Sequence, residues 1–360
     1  MGRNMDRKLE RKSFFSPKSK QDARTKAEQF KLNCQMGQFS STNVCFAELA
    51  NNWLENSKQN SVRSNTYEYT YKNCVKNHLI PYFGHFQIAC IHKADIQKFL
   101  NSKASMSKSM LHKLRLTLNL IFEDACDNDL LSKNPCKHVK VPISAQAEKA
   151  IIPYTAVQAQ TVIEYAKLNP LGISIMILLK CGLRRSEHLG LRWNDIDFEN
   201  RLIHIRQAIT ETNGILICGE PKSKASVRTL PMDEELRTAL QLIPRTVTRH
   251  KGKGNDRVAY TVKIRYVISD IKGNAMRPSN WEKRIYNTFM IAFHCEYPDV
   301  PVLRPHGLRH TYGSRLYNNG KGLDIYTIQK LVGHSSIEVT TRIYVKHDQD
   351  FLKAAFQLDN

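Results

Sequence analysis

The chain has 360 residues, more than a single hydrophobic core usually organises, so two or three domains are expected. Lys and Arg number 54 against 33 Asp and Glu, a formal net charge of +21 that points to a polyanionic partner. Hydrophobic residues at 41% and aromatics at 9% exclude wholesale disorder. The most apolar stretch, Leu171–Leu179, lies between Pro170 and Lys180 and is far too short to span a membrane. No cleavable signal is evident, so neither a membrane-spanning nor a Sec-secreted protein is expected. The nine cysteines are odd in number, scattered and never spaced C-x-x-C, as reduced cytosolic thiols are, rather than a disulfide framework or a zinc site.

In chain order, residues 1–40 form a basic arm, with one short helix predicted over Ser19–Leu32 from the spacing of Ala23, Ala27 and Phe30. Residues 41–138 are helical in pattern. Phe46, Leu49, Ala50, Trp53 and Leu54 give one amphipathic face. Tyr67, Tyr71, Cys74, Val75, His78 and Leu79 give a second, expected to stop at Pro81 and Gly84. A third helix is predicted over Ala94–Leu100, and a fourth from Met110 to Ala125. Four such helices make a bundle with its own core, and Lys72, Lys76, Lys103, Lys108, Lys113 and Arg115 on its faces suit phosphates.

Residues 139–153, with Pro142 and Pro153, read as a linker. A mixed domain follows over 154–345. Thr155 caps a helix to Leu168, and a buried helix over Leu171–Leu179 ends at Gly182. Ile203 and Ile205 alternate with polar residues as a strand does. Asn213-Gly214 signals a hairpin, and Val227–Leu230 is a third strand ending at Pro231. Helical periodicity is then predicted through to the C-terminus. The fold class is therefore mainly α with a small antiparallel β-sheet. Residues 346–360 form a tail in which Phe351, Leu352, Ala355 and Phe356 share one helix face.

Four segments carry chemistry. Gly182-Leu183-Arg184-Arg185-Ser186-Glu187 puts an arginine at a helix junction, where Arg184 competes with Arg185. Pro221-Lys222-Ser223-Lys224 is a lysine-bearing turn entering a strand, with Lys222 favoured over Lys224. Pro305-His306-Gly307-Leu308-Arg309-His310-Thr311 puts His306 and Arg309 on one helix face, with His310 read as packing. Leu331-Val332-Gly333-His334 is followed by Thr340-Thr341-Arg342-Ile343-Tyr344. Neither a carboxylate pair nor a Cys/His cluster accompanies them, and Asp195, Asp197 and Glu199 read as turn and cap residues rather than metal ligands. Two guanidinium forks, histidines, a lysine and a tyrosine suit attack on a phosphodiester without a metal or other cofactor.

In order and spacing, these segments resemble the signature of the tyrosine recombinases, or phage-type integrases, from about Phe46 to the end of the chain. The resemblance implies a helical core-binding domain and a catalytic domain that clamp duplex DNA at specific attachment sites. It assigns Arg184 and Arg309 to the phosphate, Lys222 as general acid, His306 to proton transfer and His334 to a phosphate hydrogen bond. Tyr344 is then the nucleophile that forms a 3′-phosphotyrosyl link, and Glu187 supports the site. The arm resembles the remnant of an arm-type DNA-binding domain, and the tail an intersubunit contact within a homotetramer on DNA. The resemblance further implies a bacterial cytoplasmic protein of a mobile element, served by an accessory DNA-bending protein or excisionase. Two other readings stand beside it: a non-catalytic DNA-binding protein on a recombinase fold, and a type IB topoisomerase-like nicking-closing enzyme.

Overall fold

The computed structural model describes residues 44–143, 152–221, 224–251, 258–318, 323–334 and 336–344, with a few positions between 19 and 28. It divides into two units, Met1–Lys149 and Ala150–Asn360. The basic arm falls almost wholly outside the described residues, and the tail over 346–360 entirely so.

The first unit is helical. Phe46–Asn52 continues through π-type turns at Trp53–Lys58. A second stretch runs from Ser64–Thr66 through π-type turns at Tyr67–Lys72 and Val75–Leu79 into Ile80–Phe83. Pro81 therefore does not stop this helix, contrary to the sequence expectation. The Ile80 amide already reaches back five residues to the Val75 carbonyl, and that widened turn accommodates a residue with no N–H of its own. The stretch ends where Gly84 caps it. Lys93–Ser102 and Lys108–Asp127 complete the bundle, Ser107 capping the latter through the Met110 amide. Phe46, Trp53, Leu79, Phe83, Phe99, Leu118 and Phe122 fill its core. The segment after Pro135 is tied back to the bundle, since Arg115 donates Nε to the Val139 carbonyl at 2.9 Å and Gln97 pairs with the Lys140 backbone. The predicted linker thus begins on residues docked to this unit.

In the second unit, Ala156–Leu168 starts from a Thr155 capping box and packs on Gly172–Cys181. The latter is apolar on nearly every side because it runs through the core, against the Pro305–Asn318 helix as well. Among the described residues the strands form three separate groups. Strands β1 (Ile196–Asp197), β2 (Leu202–Ile205) and β5 (Arg228–Pro231) make an antiparallel sheet in the order β1-β2-β5. Strands β3 (Ala208–Thr212) and β4 (Ile215–Gly219) form the hairpin expected at Asn213-Gly214.

A third pair corrects the sequence expectation of uninterrupted helix. Strands β6 (Thr246–Lys251) and β7 (Val258–Lys263) pair antiparallel, with Val247 opposite Val262. Thr246, Val247, Thr248, Val258, Tyr260, Thr261 and Val262 are β-branched or aromatic, a composition that favours a pleated surface over a helix. Further helices include Glu234–Gln241, Asn287–Glu296, Pro305–Asn318, Ile325–Val332 and Ile337–Tyr344. Among the described residues, no helix is long and apolar enough to cross a membrane.

Gly182 ends the Gly172–Cys181 helix in the left-handed region at φ +59°, with its amide on the Leu178 carbonyl. A Cβ there would overlap the Tyr312 ring, so the position demands glycine sterically as well as conformationally. Gly182→Ala should lower unfolding free energy by about 2 kcal/mol or more, through left-handed strain plus overpacking. Denaturant titration measures this, and a variant as stable as the parent would contradict the packing described.

Candidate active site

The site begins where the buried helix stops. After Gly182 and the buried Leu183, Arg184 turns extended at φ −68°, ψ 151° and becomes the N-cap of the short Arg185–Gly190 helix. Glu187 lies three positions into that helix, and its Oε2 accepts the Arg184 amide at 3.0 Å. The same carboxylate is only 1% exposed and faces three guanidinium groups. Arg184 Nη1 lies 2.6 Å from Oε1, Arg228 Nη2 3.0 Å from Oε2 and Arg309 Nη1 3.8 Å from Oε2. Burial works to raise the Glu187 pKa, but the charges of Arg228, Arg309 and Arg184, with the Arg228 hydrogen bond, hold it below the usual glutamate value.

The arginines also share the end of the Ile325–Val332 helix. Arg228 Nε donates to the Leu331 carbonyl at 2.9 Å, Arg309 Nη2 to Val332 at 2.5 Å and Arg184 Nη2 to Gly333 at 2.6 Å. Three consecutive carbonyls, two of them closing the helix and the third on the glycine that caps it, each receive a cation, as the partial negative charge of a helix C-terminus favours. Arg309 Nη1 further donates to the Gly182 carbonyl at 2.8 Å, joining the two glycine-capped helix ends. Arg184 is 30% exposed and presents the open side of this cluster, while Arg309 lies behind it at 1%.

The histidines complete it. His306 sits in the first turn of the Pro305–Asn318 helix, its ring edge-on to His310 at 4.6 Å. His310 is buried, as its packing role anticipates. Surrounding protein, then the charges of Arg309 and Arg184, keep His306 below the ordinary imidazole value. His334 follows the Gly333 turn, and its Nδ1 pairs with the Thr340 hydroxyl at 3.0 Å. Burial first, then Arg309, Arg184, His310 and His306, push its pKa down to about 3. Thr340 stands on the Ile337–Tyr344 helix, so one hydrogen bond ties His334 to the element carrying Tyr344.

Arg184, His306, Arg309 and His334 are therefore gathered as the sequence expects. The backbone of Tyr344 closes the last described helix, and its side chain lies outside the described residues, as do Lys222 and the Lys224 side chain. Arg185 pairs with Glu282 away from the cluster. Asp195 and Asp197 accept backbone amides at turns, and no metal-ligand cluster occurs among the described residues. Arg228 was missed. The only local signal for it was its position at the start of a strand after the lysine turn. In the first unit, Arg115 donates Nε to the Val139 carbonyl, and Lys72 pairs with Glu68 while its side chain stays exposed.

Residues 148–350 match the phage integrase family, and residues 45–104 match the N-terminal SAM-like domain of phage integrases. The chain belongs to the phage integrase family and is by class a tyrosine recombinase, an enzyme that cuts and rejoins DNA strands. It is 29% identical to a tyrosine recombinase XerC-like protein of Caldanaerobacter subterraneus, over 96% of this chain and 90% of that one. It is 25% identical to the ICEBs1 integrase of Bacillus subtilis, over 84% of this chain and 79% of that one. The fold is similar to that of the Tn1549 transposon integrase solved with transposon right end DNA, with TM-score 0.68, 21% identity and coverage of 84% and 95%. A lambda integrase tetramer bound to a Holliday junction matches with TM-score 0.58 and 16% identity, over 92% of this chain and 88% of that one.

The site histidine His334 and the core histidine His188 both have pKa values lowered to about 3, the latter by complete burial. The unfolded chain therefore takes up protons near pH 6.5 that the folded chain refuses. Stability should be full above about pH 6.5 and decline as pH falls below it. Urea midpoints near pH 7.5 and about pH 5 check this. The loss on acidification should be smaller in His334→Gln than in the parent.

Proposed function

We propose that this chain is a site-specific integrase that inserts or excises a mobile element through a covalent tyrosyl intermediate. The observation that carries the proposal is the convergence of Arg184, Arg309, His306 and His334 beside the helix that bears Tyr344. Kinship to the ICEBs1 integrase and to a XerC-like recombinase supports the substrate class, double-stranded DNA with defined attachment sites.

In this mechanism the Tyr344 oxygen attacks the scissile phosphorus, the 5′ oxygen departs and a 3′-phosphotyrosyl bond forms. Lys222 protonates the departing oxygen. Arg184 and Arg309 exchange the Gly333 and Val332 carbonyls they now hold for the non-bridging oxygens, on which charge grows in the transition state. His334 is neutral at neutral pH and offers one N–H to the phosphate, and His306 assists proton transfer. The domain plan follows: 41–138 grips the duplex, 154–345 cuts it, 139–153 links them, and 1–40 adds contacts to a separate arm-type site. Four copies assemble on DNA, because exchange needs four strands cut in two pairs. The likeness to a tetrameric lambda integrase supports that assembly, and the 346–360 tail is its proposed intersubunit contact. An accessory bending protein or excisionase would bias direction.

The test is a nicked duplex built from the DNA flanking the gene, which traps the protein on the cut strand. Wild type should accumulate covalent adduct and Tyr344→Phe none, while both bind the duplex alike. Adduct at the wild-type level with Tyr344→Phe would remove Tyr344 from the role. Arg184→Ala and Arg309→Ala should each slow adduct formation by roughly two to three decades, as loss of an oxyanion donor does, with little change in affinity. Equal losses in binding and cleavage would mark a mere phosphate anchor.

A further inference from the structure

Among the described residues, Arg184 and Arg228 share two partners, Glu187 and Ser226, through different atoms, and their third acceptors lie two residues apart on one helix end. Arg184 donates to Glu187 Oε1, and Arg228 donates to Oε2 of the same carboxylate at 3.0 Å. Arg184 donates to the Ser226 hydroxyl at 3.0 Å, and Arg228 to the Ser226 carbonyl at 3.0 Å. Arg184 donates to the Gly333 carbonyl at 2.6 Å, and Arg228 to the Leu331 carbonyl at 2.9 Å. The Arg228 side chain is 6% exposed, against 30% for Arg184, so one guanidinium faces outward and the other stands behind it. Gly333 packs directly on Arg228, since a Cβ there would lie 3.0 Å from Nη1.

The geometry points to Arg228 as a positioning residue for strand cleavage: it fixes Glu187, Ser226 and the Leu331–Gly333 turn, and so aims Arg184 and His334 without itself meeting the phosphate. Only a planar fork serves three acceptors in three directions at once, which a lysine ammonium on a flexible stem does not reproduce. The buried carboxylate gives the arrangement its charge logic. Glu187 is faced by Arg184 from the turn before its own helix, by Arg228 from β5 and by Arg309 from the Pro305–Asn318 helix. All three charges hold it ionised, and Arg228 is the more deeply buried of the two that lie within 3.0 Å.

This inference rests on the recombinase reading above and is tested in the full chain with Arg228→Lys and Arg228→Gln. Cleavage of the nicked duplex should fall about 100-fold in both variants, the scale of a misplaced reacting group. Binding to a generic duplex should keep the wild-type salt slope, whereas loss of one phosphate contact would lower it by about 0.9. In Arg228→Gln the acid limb of the cleavage rate should move to higher pH, because Glu187 is protonated more readily. Arg228→Lys should keep the wild-type limb. His306, His334 and His310 face the same cluster, and loss of the Arg228 charge acts on His306 and His334 in the same direction as on Glu187, so the limb reads the charge balance of the whole cluster and Arg228→Lys, which keeps the charge, is its control. A reduced salt slope, a wild-type cleavage rate, or an unmoved acid limb in Arg228→Gln would each overturn the proposal. If Arg228→Gln does not fold, rate and salt slope of Arg228→Lys decide it alone. Adduct persisting in Tyr344→Phe would overturn the tyrosine assignment and leave this comparison intact, because Arg228 variants are scored on strand cleavage against wild type.

Discussion

A single buried carboxylate, Glu187, holds the site together. At 1% exposure its charge would be intolerable alone, since desolvating an ion costs several kcal/mol. Three arginines from three separate elements offset that cost, and the Arg184 amide adds a fourth donor. Removing the carboxylate itself would cost about 3–5 kcal/mol, because Arg228 and Arg309 would stay buried without their counter-charge. The cluster ties a helix start, a strand and a helix end into one floor.

The surrounding fold serves that floor. The apolar Gly172–Cys181 helix fixes Gly182 in the core, so Arg184 begins from an immobile point. The Ile325–Val332 helix delivers its unpaired carbonyls to the same place, and the arginines satisfy them. A helix C-terminus is normally completed by water or a glycine motif. Here guanidinium groups complete it, and two of these are the groups proposed to receive a phosphate. The carbonyls hold the two forks in place.

The electrostatics of the two units differ. In the second, concentrated positive charge and burial keep His306 and His334 neutral at neutral pH, fit to donate or accept single protons rather than to anchor a polyanion. In the first, exposed lysines such as Lys108 and Lys113 surround an aromatic core. Lys58 over the Trp53 ring at 5.4 Å shows that some of this charge also packs against the protein itself. The net +21 is thus spread over arm, bundle and site, in keeping with many weak phosphate contacts and one reactive centre.

The sequence by itself determined whatever depends on neighbours within a few residues. Thr155 caps its helix through Gln158, Asn213-Gly214 turns its hairpin, and Gly182 and Gly333 end theirs, because each is satisfied locally. The resemblance to the tyrosine recombinase signature likewise marked Arg184, His306, Arg309 and His334, since the motifs that carry it are short and contiguous. Only the tertiary structure decided what depends on partners distant in the chain. Arg228 meets Glu187 across 41 residues and Leu331 across 103, so its isolated position in a strand carried no sign of either. Arg115 looks like a free surface cation until the Val139 carbonyl, 24 residues on, takes its Nε. Pro81 reads as a breaker until the preceding turn widens, and β6, whose composition already favours a strand, gains its ladder only when β7 returns to pair with it. Local propensity sets where a chain prefers to turn or stop, but ion pairs and strand ladders form only when folding brings remote residues within reach of one another.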